Sequence, residues 1–357
     1  MPFDPLELLL DMELEIIDNM TRLLDKGAVE SAAWQMEKLA DLGALRLVNT
    51  ATVEKYLNEI AEGLPEYYEK LGESALEKSG VLGLSDVPSS GFSATLAATY
   101  KLWETQTLNT LKTLGMTLID ESQTTYIQIV YKSAAKMLSG ATTLRQAIAE
   151  TSSEWRKQII AEEAAGVLKD GIPAFKDKAG RRWSVEGYSQ VVLRSNEGAM
   201  TRAVQNAAFD EFDVDLVEIT SHMGARPLCA PYQGRVFSRS GKSSKYPPLS
   251  STTIGQPAGL FGCNCHHDPI RFDPAVGQTY PHYNEAENAK AYEASQKQRY
   301  YERQIRARKK DLSLAKLSGD EKVIARAKNN MSNAQGRMRE FIKDSGNTRH
   351  YDREQVY

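Results

Sequence analysis

All three cysteines and four of the five histidines fall within about sixty residues, His222 to His282. Two segments carry most of them, SHMGARPLCAPYQGRVF over 221–237 and GLFGCNCHHDPIRF over 259–272. Thiolate and imidazole donors on two short segments suit a tetrahedral zinc ion, which takes sulfur and nitrogen ligands together. The expected ligand set is His222, Cys229, Cys265 and His267. In an extended stretch, Cys-x-His puts Cys265 and His267 on the same side and points His266 away. A competing set brings in Cys263 or His266. Four protein ligands would close the sphere, and a closed sphere staples a fold rather than catalysing.

Catalytic signatures are missing. The chain has no HExxH, no GxSxG and no GxxxxGK[ST], the patterns of zinc proteases, nucleophile elbows and phosphate loops. Arg194, Ser195 and Glu218 can be lined up as an arginine–serine–glutamate scheme for NAD-dependent transfer, but Arg194 does not sit on a strand. A zinc hydrolase needs a general base beside the ion. Glu218 and Asp268 are the nearby acids, neither at a diagnostic spacing.

The elements that must position these groups are mixed. Asp4 caps and Pro5 opens a first helix ending at Gly27, with Leu6, Leu9, Leu10, Ile17, Met20 and Leu24 on one face. Helical pattern resumes from Ala28 to about Leu47 and from Val53 to Ala61, is interrupted at Pro65 and over 81–91, and returns from Phe92 to about Lys169. Gly115, Gly140 and Gly166 mark expected breaks. Residues 170–183 look like a hairpin with its turn at Lys178-Ala179-Gly180. Val185 to Asp210 reads as two helical pieces broken near Asn196-Glu197-Gly198. VDLVEIT (214–220) is the strongest strand, with short strands expected at 234–238 and 269–272. The Ser/Gly/Pro-rich run from Ser238 to Gly262 lacks hydrophobic periodicity, so its ends need a non-hydrophobic pin.

The expected architecture is α+β in three parts: a helical half at 1–169, a small zinc-stapled α+β domain at 170–283, and a basic helical hairpin at 284–357 split at Ser318-Gly319-Asp320. The first half holds no cysteine or histidine, so its helices are read as packing on each other and on partner subunits. Between 297 and 343 fourteen Lys/Arg face five Asp/Glu, while the whole chain carries −3. Arg303, Arg306, Arg308, Lys309 and Lys310 are the candidate contacts to a phosphate backbone or an acidic partner. A solvated amphipathic hairpin is the competing reading of that tail.

Composition narrows the class further. Hydrophobic residues make up 41% and charged residues 25%, an ordinary soluble balance. No run of ~18 apolar residues exists to span a membrane. The N-terminal MPFDPLELLLDMELEII places acids where a signal peptide needs a basic flank. Three cysteines make no disulfide framework.

From residue 188 to 267 the runs YSQVVLRSNEGAMTRAV, DLVEITSHMGARPLCAPYQGRVFS and YPPLSSTTIGQPAGLFGCNCHH resemble the phage minor capsid protein type 2 family. That family is more loosely related to the MuF-like head-morphogenesis proteins of tailed phages. Carried over, the resemblance covers His222, Gly224, Ala225, Arg226, Pro227, Cys229, Gln233, Gly234, Gly262, Asn264, Cys265 and His267. The chain departs from the pattern at Cys263, where an aliphatic residue is expected, and at His266, where arginine is. RQIRARKKDL resembles the family's basic C-terminal region. The resemblance implies a non-enzymatic structural protein of the virion head near the portal vertex. Its implied partners are the portal protein, the major capsid protein or packaged DNA, with several copies per virion and a stay in the host cytoplasm during assembly.

Overall fold

The computed structural model describes residues 3–26, 33–81, 88–89, 91–140, 143–144, 146–148, 150–151, 154, 175–176, 182–183, 185–317 and 321–355. Seven helices are drawn from them: α1 (Pro5–Asp25), α2 (Trp34–Ala40), α3 (Leu42–Ser79), α4 (Phe92–Leu138), α5 (Val185–Glu211), α6 (Glu285–Leu317) and α7 (Glu321–Ser345). Five short strands accompany them: β1 (Phe175–Lys176), β2 (Arg182–Trp183), β3 (Leu216–Ile219), β4 (Val236–Ser238) and β5 (Pro269–Arg271). The class is α+β, dominated by helix.

The Asp4 carboxylate accepts the Leu6 amide at 2.8 Å and Pro5 follows at the first helical turn, as an N-cap requires. Several expected breaks do not occur. α3 runs through Pro65, α4 through Gly115 and α5 through Asn196 to Gly198. Proline inside a helix costs about 3 kcal/mol. Ile60, Leu64 and Tyr68, spaced at four residues and all but fully buried, offset that locally, because burying each large side chain contributes roughly 1.5–3 kcal/mol. The expected breaks at Gly27 and Gly166, the Lys178-Ala179-Gly180 turn and the Ser318-Gly319-Asp320 split lie outside the described residues. β1 pairs antiparallel with β2, Phe175 opposite Trp183.

The chain forms two compact units, each assembled from segments distant in sequence. One comprises residues 1–3, 61–109 and 190–296; the other comprises 4–60, 110–189 and 297–357. In the second, Leu9, Met12, Ile16 and Met20 of α1 are at most 1% exposed. A polar seam ties α1, α3 and α4: Asn19 donates to Asn49 at 3.1 Å and Asn49 donates to Ser122 at 2.9 Å. Lys38 of α2 is fully buried, and its ammonium donates to the Leu23 and Lys26 carbonyls at the end of α1. Its third partner is Asp41 at 3.3 Å, so the buried charge is satisfied.

The first unit holds the sheet β4-β3-β5, antiparallel throughout. Val217 lies opposite Phe237 and Arg271, Ile219 opposite Pro269. Val217 joins Val81, Phe92, Phe209 and Val214 in one buried cluster, while Ile219 joins Cys229, Phe237, Leu260 and Phe261 in another. Tyr68, Thr107 and Asn196 share a buried hydrogen-bonded chain, 2.7 and 2.8 Å long per step. Among the described residues, no helix is long and apolar enough to cross a membrane.

Candidate metal centre

β3 and β5 run antiparallel, so the exit of β3 and the entry of β5 meet at one end of the sheet. Thr220 donates its amide to the Asp268 carbonyl at 3.0 Å and its hydroxyl accepts the Asp268 amide at 2.9 Å. This clasp brings the stretch after β3, which holds His222, beside the stretch before β5, which holds Cys265 and His267. Between Arg226 and Tyr232 the chain turns tightly, with the Cys229 amide on the Arg226 carbonyl and the Tyr232 amide on the Cys229 carbonyl. Cys229 is thereby fully buried.

Three donors converge. Cys229 Sγ lies 3.9 Å from Cys265 Sγ, and Cys265 Sγ lies 3.4 Å from His267 Nδ1. All three donor atoms lie within 4.8 Å of one another. Zinc bond lengths of about 2.3 Å to sulfur and 2.0–2.1 Å to nitrogen imply tetrahedral edges of roughly 3.8 Å for S···S and 3.6 Å for S···N. The two edges that meet at Cys265 match these closely, so the residues can hold a tetrahedral ion.

The tautomer of His267 follows from its neighbours. Gln233 Oε1 accepts the His222 backbone amide at 3.1 Å, which identifies that atom as the oxygen, and it lies 3.3 Å from His267 Nε2. An amide oxygen only accepts, so Nε2 carries the proton and Nδ1 turns its lone pair to the cysteines. Asn288, near the start of α6, clamps the loop from the other side. Its Oδ1 accepts the Gly224 and Ala225 amides at 2.9 Å and its Nδ2 donates to the Ala225 carbonyl at 2.9 Å.

The electrostatics suit a metal. A hydrogen bond from Cys229, aided by His267, holds the Cys265 thiol well below the ordinary cysteine range. The same hydrogen bond and burial push Cys229 up. A divalent ion bound here would displace the thiol protons. The Arg226 guanidinium reaches within 3.8 Å of Cys229 Sγ and donates to the Cys263 and Gly259 carbonyls at 2.7 and 3.2 Å.

His222 stands beside this cluster rather than in it. Its ring stacks on His267 with centroids 4.6 Å apart, and its Nδ1 lies 3.3 Å from the Met223 carbonyl. Cys263 is exposed, as is His266, whose ring meets His222 edge-on at 6.2 Å. Neither joins the three-donor group. Glu218 is not a base beside the cluster. Its carboxylate accepts the Thr279 and Tyr280 amides and the Thr279 hydroxyl, at 2.7–3.0 Å. That removes the third member of the arginine–serine–glutamate scheme.

The Ser/Gly/Pro-rich run is also less slack than its composition suggests. Thr253 Oγ1 donates to the Leu228 carbonyl and accepts the Leu260 amide, and Leu260 and Phe261 are buried. Gly234 has φ +64°, and a Cβ there would sit 2.5 Å from the Pro281 carbonyl oxygen. Gly234→Ala is expected to lose about 2–3 kcal/mol, combining left-handed strain with a backbone clash. Urea unfolding checks this; a change under 0.5 kcal/mol would contradict it.

The basic run is corrected by the structure. Lys310 is 6% exposed and ion-paired with Glu13 at 3.3 Å, so it cannot serve as a contact to DNA or a partner. Lys309 donates to Gln355 and Arg306 to the Arg353 carbonyl, while Arg303 and Arg308 are half-buried. Six exposed bases of the tail lie on α7, Lys322, Arg326, Lys328, Arg337, Arg339 and Lys343, and Lys290, Lys297 and Lys316 are exposed on α6.

A family model described as Phage minor capsid protein 2 matches residues 5–343, nearly the whole chain. The chain belongs to this family. As a family member it aligns with a protein named "Structural protein" of Lactococcus phage LL-H, 28% identical over 353 residues, covering 94% of this chain and 92% of the relative. A second relative, "Structural protein" of Lactococcus phage mv4, is 33% identical over 114 residues, 31% of this chain and 93% of that protein. No solved structure matches. Sequence reasoning singled out this minor capsid protein's cysteines and histidines but missed Asn288 as the loop clamp; its Asn-x-x-x-Asn context on a helix start offers no signal.

Proposed function

We propose that this minor capsid protein is a non-enzymatic building block of the phage head, near the portal vertex, whose β3–β5 module is stapled by zinc. The convergence of Cys229, Cys265 and His267 at tetrahedral spacing carries the reading. His222, stacked against His267, supplies the fourth ligand by turning its ring. Bound zinc would be held by these four groups and would supply folding energy, since such a site forms only when its ligands come together. The helical surfaces engage the portal or major capsid protein, and the exposed bases of α7 suit packaged DNA without base readout. Several copies per virion, assembled in the host cytoplasm, complete the proposal.

One observation favours a second reading, a zinc hydrolase or nuclease acting during entry. Three donors leave a fourth position open, as catalytic zinc requires. Against it, Glu218 is engaged elsewhere, which leaves Asp268 as the nearby acid. Elemental analysis with X-ray absorption on the purified protein separates the two. Near-unit zinc with two sulfur and two nitrogen ligands supports the staple; three protein ligands plus water supports the enzyme. A reconstructed map of the assembled particle tests the location, and density remote from the portal would refute that part.

A further inference from the structure

Helix α5 carries a guanidinium, that of Arg202, with no hydrogen-bond acceptor among the described residues. Ser195, Gly198 and Arg202 lie on one face of it, at i, i+3 and i+7. A Cβ at Gly198 would fall 3.0 Å from an Arg202 terminal nitrogen, so the guanidinium lies back over Gly198 toward Ser195. The Phe261 ring flanks it at 5.9 Å. Half-buried there, Arg202 donates to no acceptor among the described residues; burial holds it below the ordinary guanidinium range, and Cys265, Asp268 and Cys263 act on it from beyond hydrogen-bonding distance. The Ser195 hydroxyl is also buried, without a hydrogen-bond partner among the described residues. Both residues line a cleft of about 300 Å³, closed on the other side by Pro257, Phe261 and the Cys263-Asn264-Cys265 stretch, so it borders the three-donor cluster at Cys265, with exposed Arg194 at its edge.

A guanidinium taken out of water needs an anion to match it, and its planar fork matches two oxygens of one oxyanion. We propose that this cleft receives the carboxylate of an acidic side chain from a partner polypeptide. Arg202 grips both oxygens and the Ser195 hydroxyl donates to one of them. The volume suits a single side chain, and Pro257 and Phe261 pack its methylenes. Duplex DNA is the poorer occupant. The unit that holds the cleft has eighteen Asp/Glu against twelve Lys/Arg, which repels a polyanion while leaving a single carboxylate little affected. The inference goes beyond the metal reading, and its test does not measure metal.

The test titrates the full-length protein with N-acetyl-glutamate N-methylamide by calorimetry. The glutamine analogue, inorganic phosphate and a 20-base-pair duplex run beside it at matched ionic strength. Saturable binding is expected for the glutamate probe and at least tenfold weaker binding for the glutamine analogue. R202Q should lower affinity at least tenfold and S195A about threefold. R202K keeps the charge without the fork, should lose at least fivefold, and carries the test if R202Q fails to fold. Equal binding by the folded variants, or no binding of the glutamate probe up to 50 mM, overturns the proposal. So does phosphate or duplex binding that depends on Arg202 and that the glutamate probe does not displace.

Discussion

Cys265→Ala is expected to purify with almost no zinc and to expose residues 220–268 to rapid proteolysis, whereas Cys263→Ala keeps both metal and resistance. Cys265 shares close contacts with both other donors, 3.9 Å to Cys229 and 3.4 Å to His267, so its loss removes the vertex common to two edges. Structural zinc contributes on the order of 10 kcal/mol where it is bound. Even a partial loss of several kcal/mol lowers the unfolding midpoint of a unit this size by about 10 °C. His222→Ala divides the two metal readings. A staple with His222 as fourth ligand loses most of its zinc, while an open three-ligand site keeps its ion. Gln233→Ala removes the acceptor behind His267 Nε2 and is expected to weaken the metal about 10–100-fold, the usual cost of deleting an outer-shell partner. Metal content by mass spectrometry and limited proteolysis read all four variants. A Cys265→Ala protein that melts and resists protease like the parent would end the staple idea.

The second large effect lies in the other unit. Glu13 of α1 and Lys310 of α6 pair at 3.3 Å with each side chain 8% exposed. Truncating one member leaves its partner charged and buried, which costs roughly 3–5 kcal/mol. Glu13→Ala and Lys310→Ala are each expected to show that loss in urea unfolding. The double change Glu13→Leu with Lys310→Met fills the same space without charge, and is expected to recover most or all of it. If either single variant loses under 1 kcal/mol, the pair is not desolvated as described.

Both predictions rest on chemistry unequally visible in the sequence. The cysteine–histidine cluster was the more legible. Cysteine and histidine are few in this chain, and Cys-x-His alternation places Cys265 and His267 on one side of an extended stretch, as the three-donor geometry has them. What spacing could not supply is how the ring of His267 is oriented. That depends on Gln233, thirty-four residues away in the chain, and on Asn288, which reaches the Gly224–Ala225 loop from sixty-three and sixty-four residues away. Glu218 stood as one of two nearby acids, at no diagnostic spacing, and the amides of Thr279 and Tyr280 occupy it.

Helical content, the β3 strand and the rarity of ligand-type side chains followed from the residues alone, because periodicity and donor chemistry are local properties. Tertiary structure alone decided that α3 continues through Pro65 and α5 through Gly198, and that compact units draw on both ends of the chain. It also decided that Lys310, one of five bases between 303 and 310 read as a contact surface, lies inside. A helix face is exposed or buried according to what packs on it. When that neighbour is α1, some three hundred residues earlier, no window along the sequence contains the information.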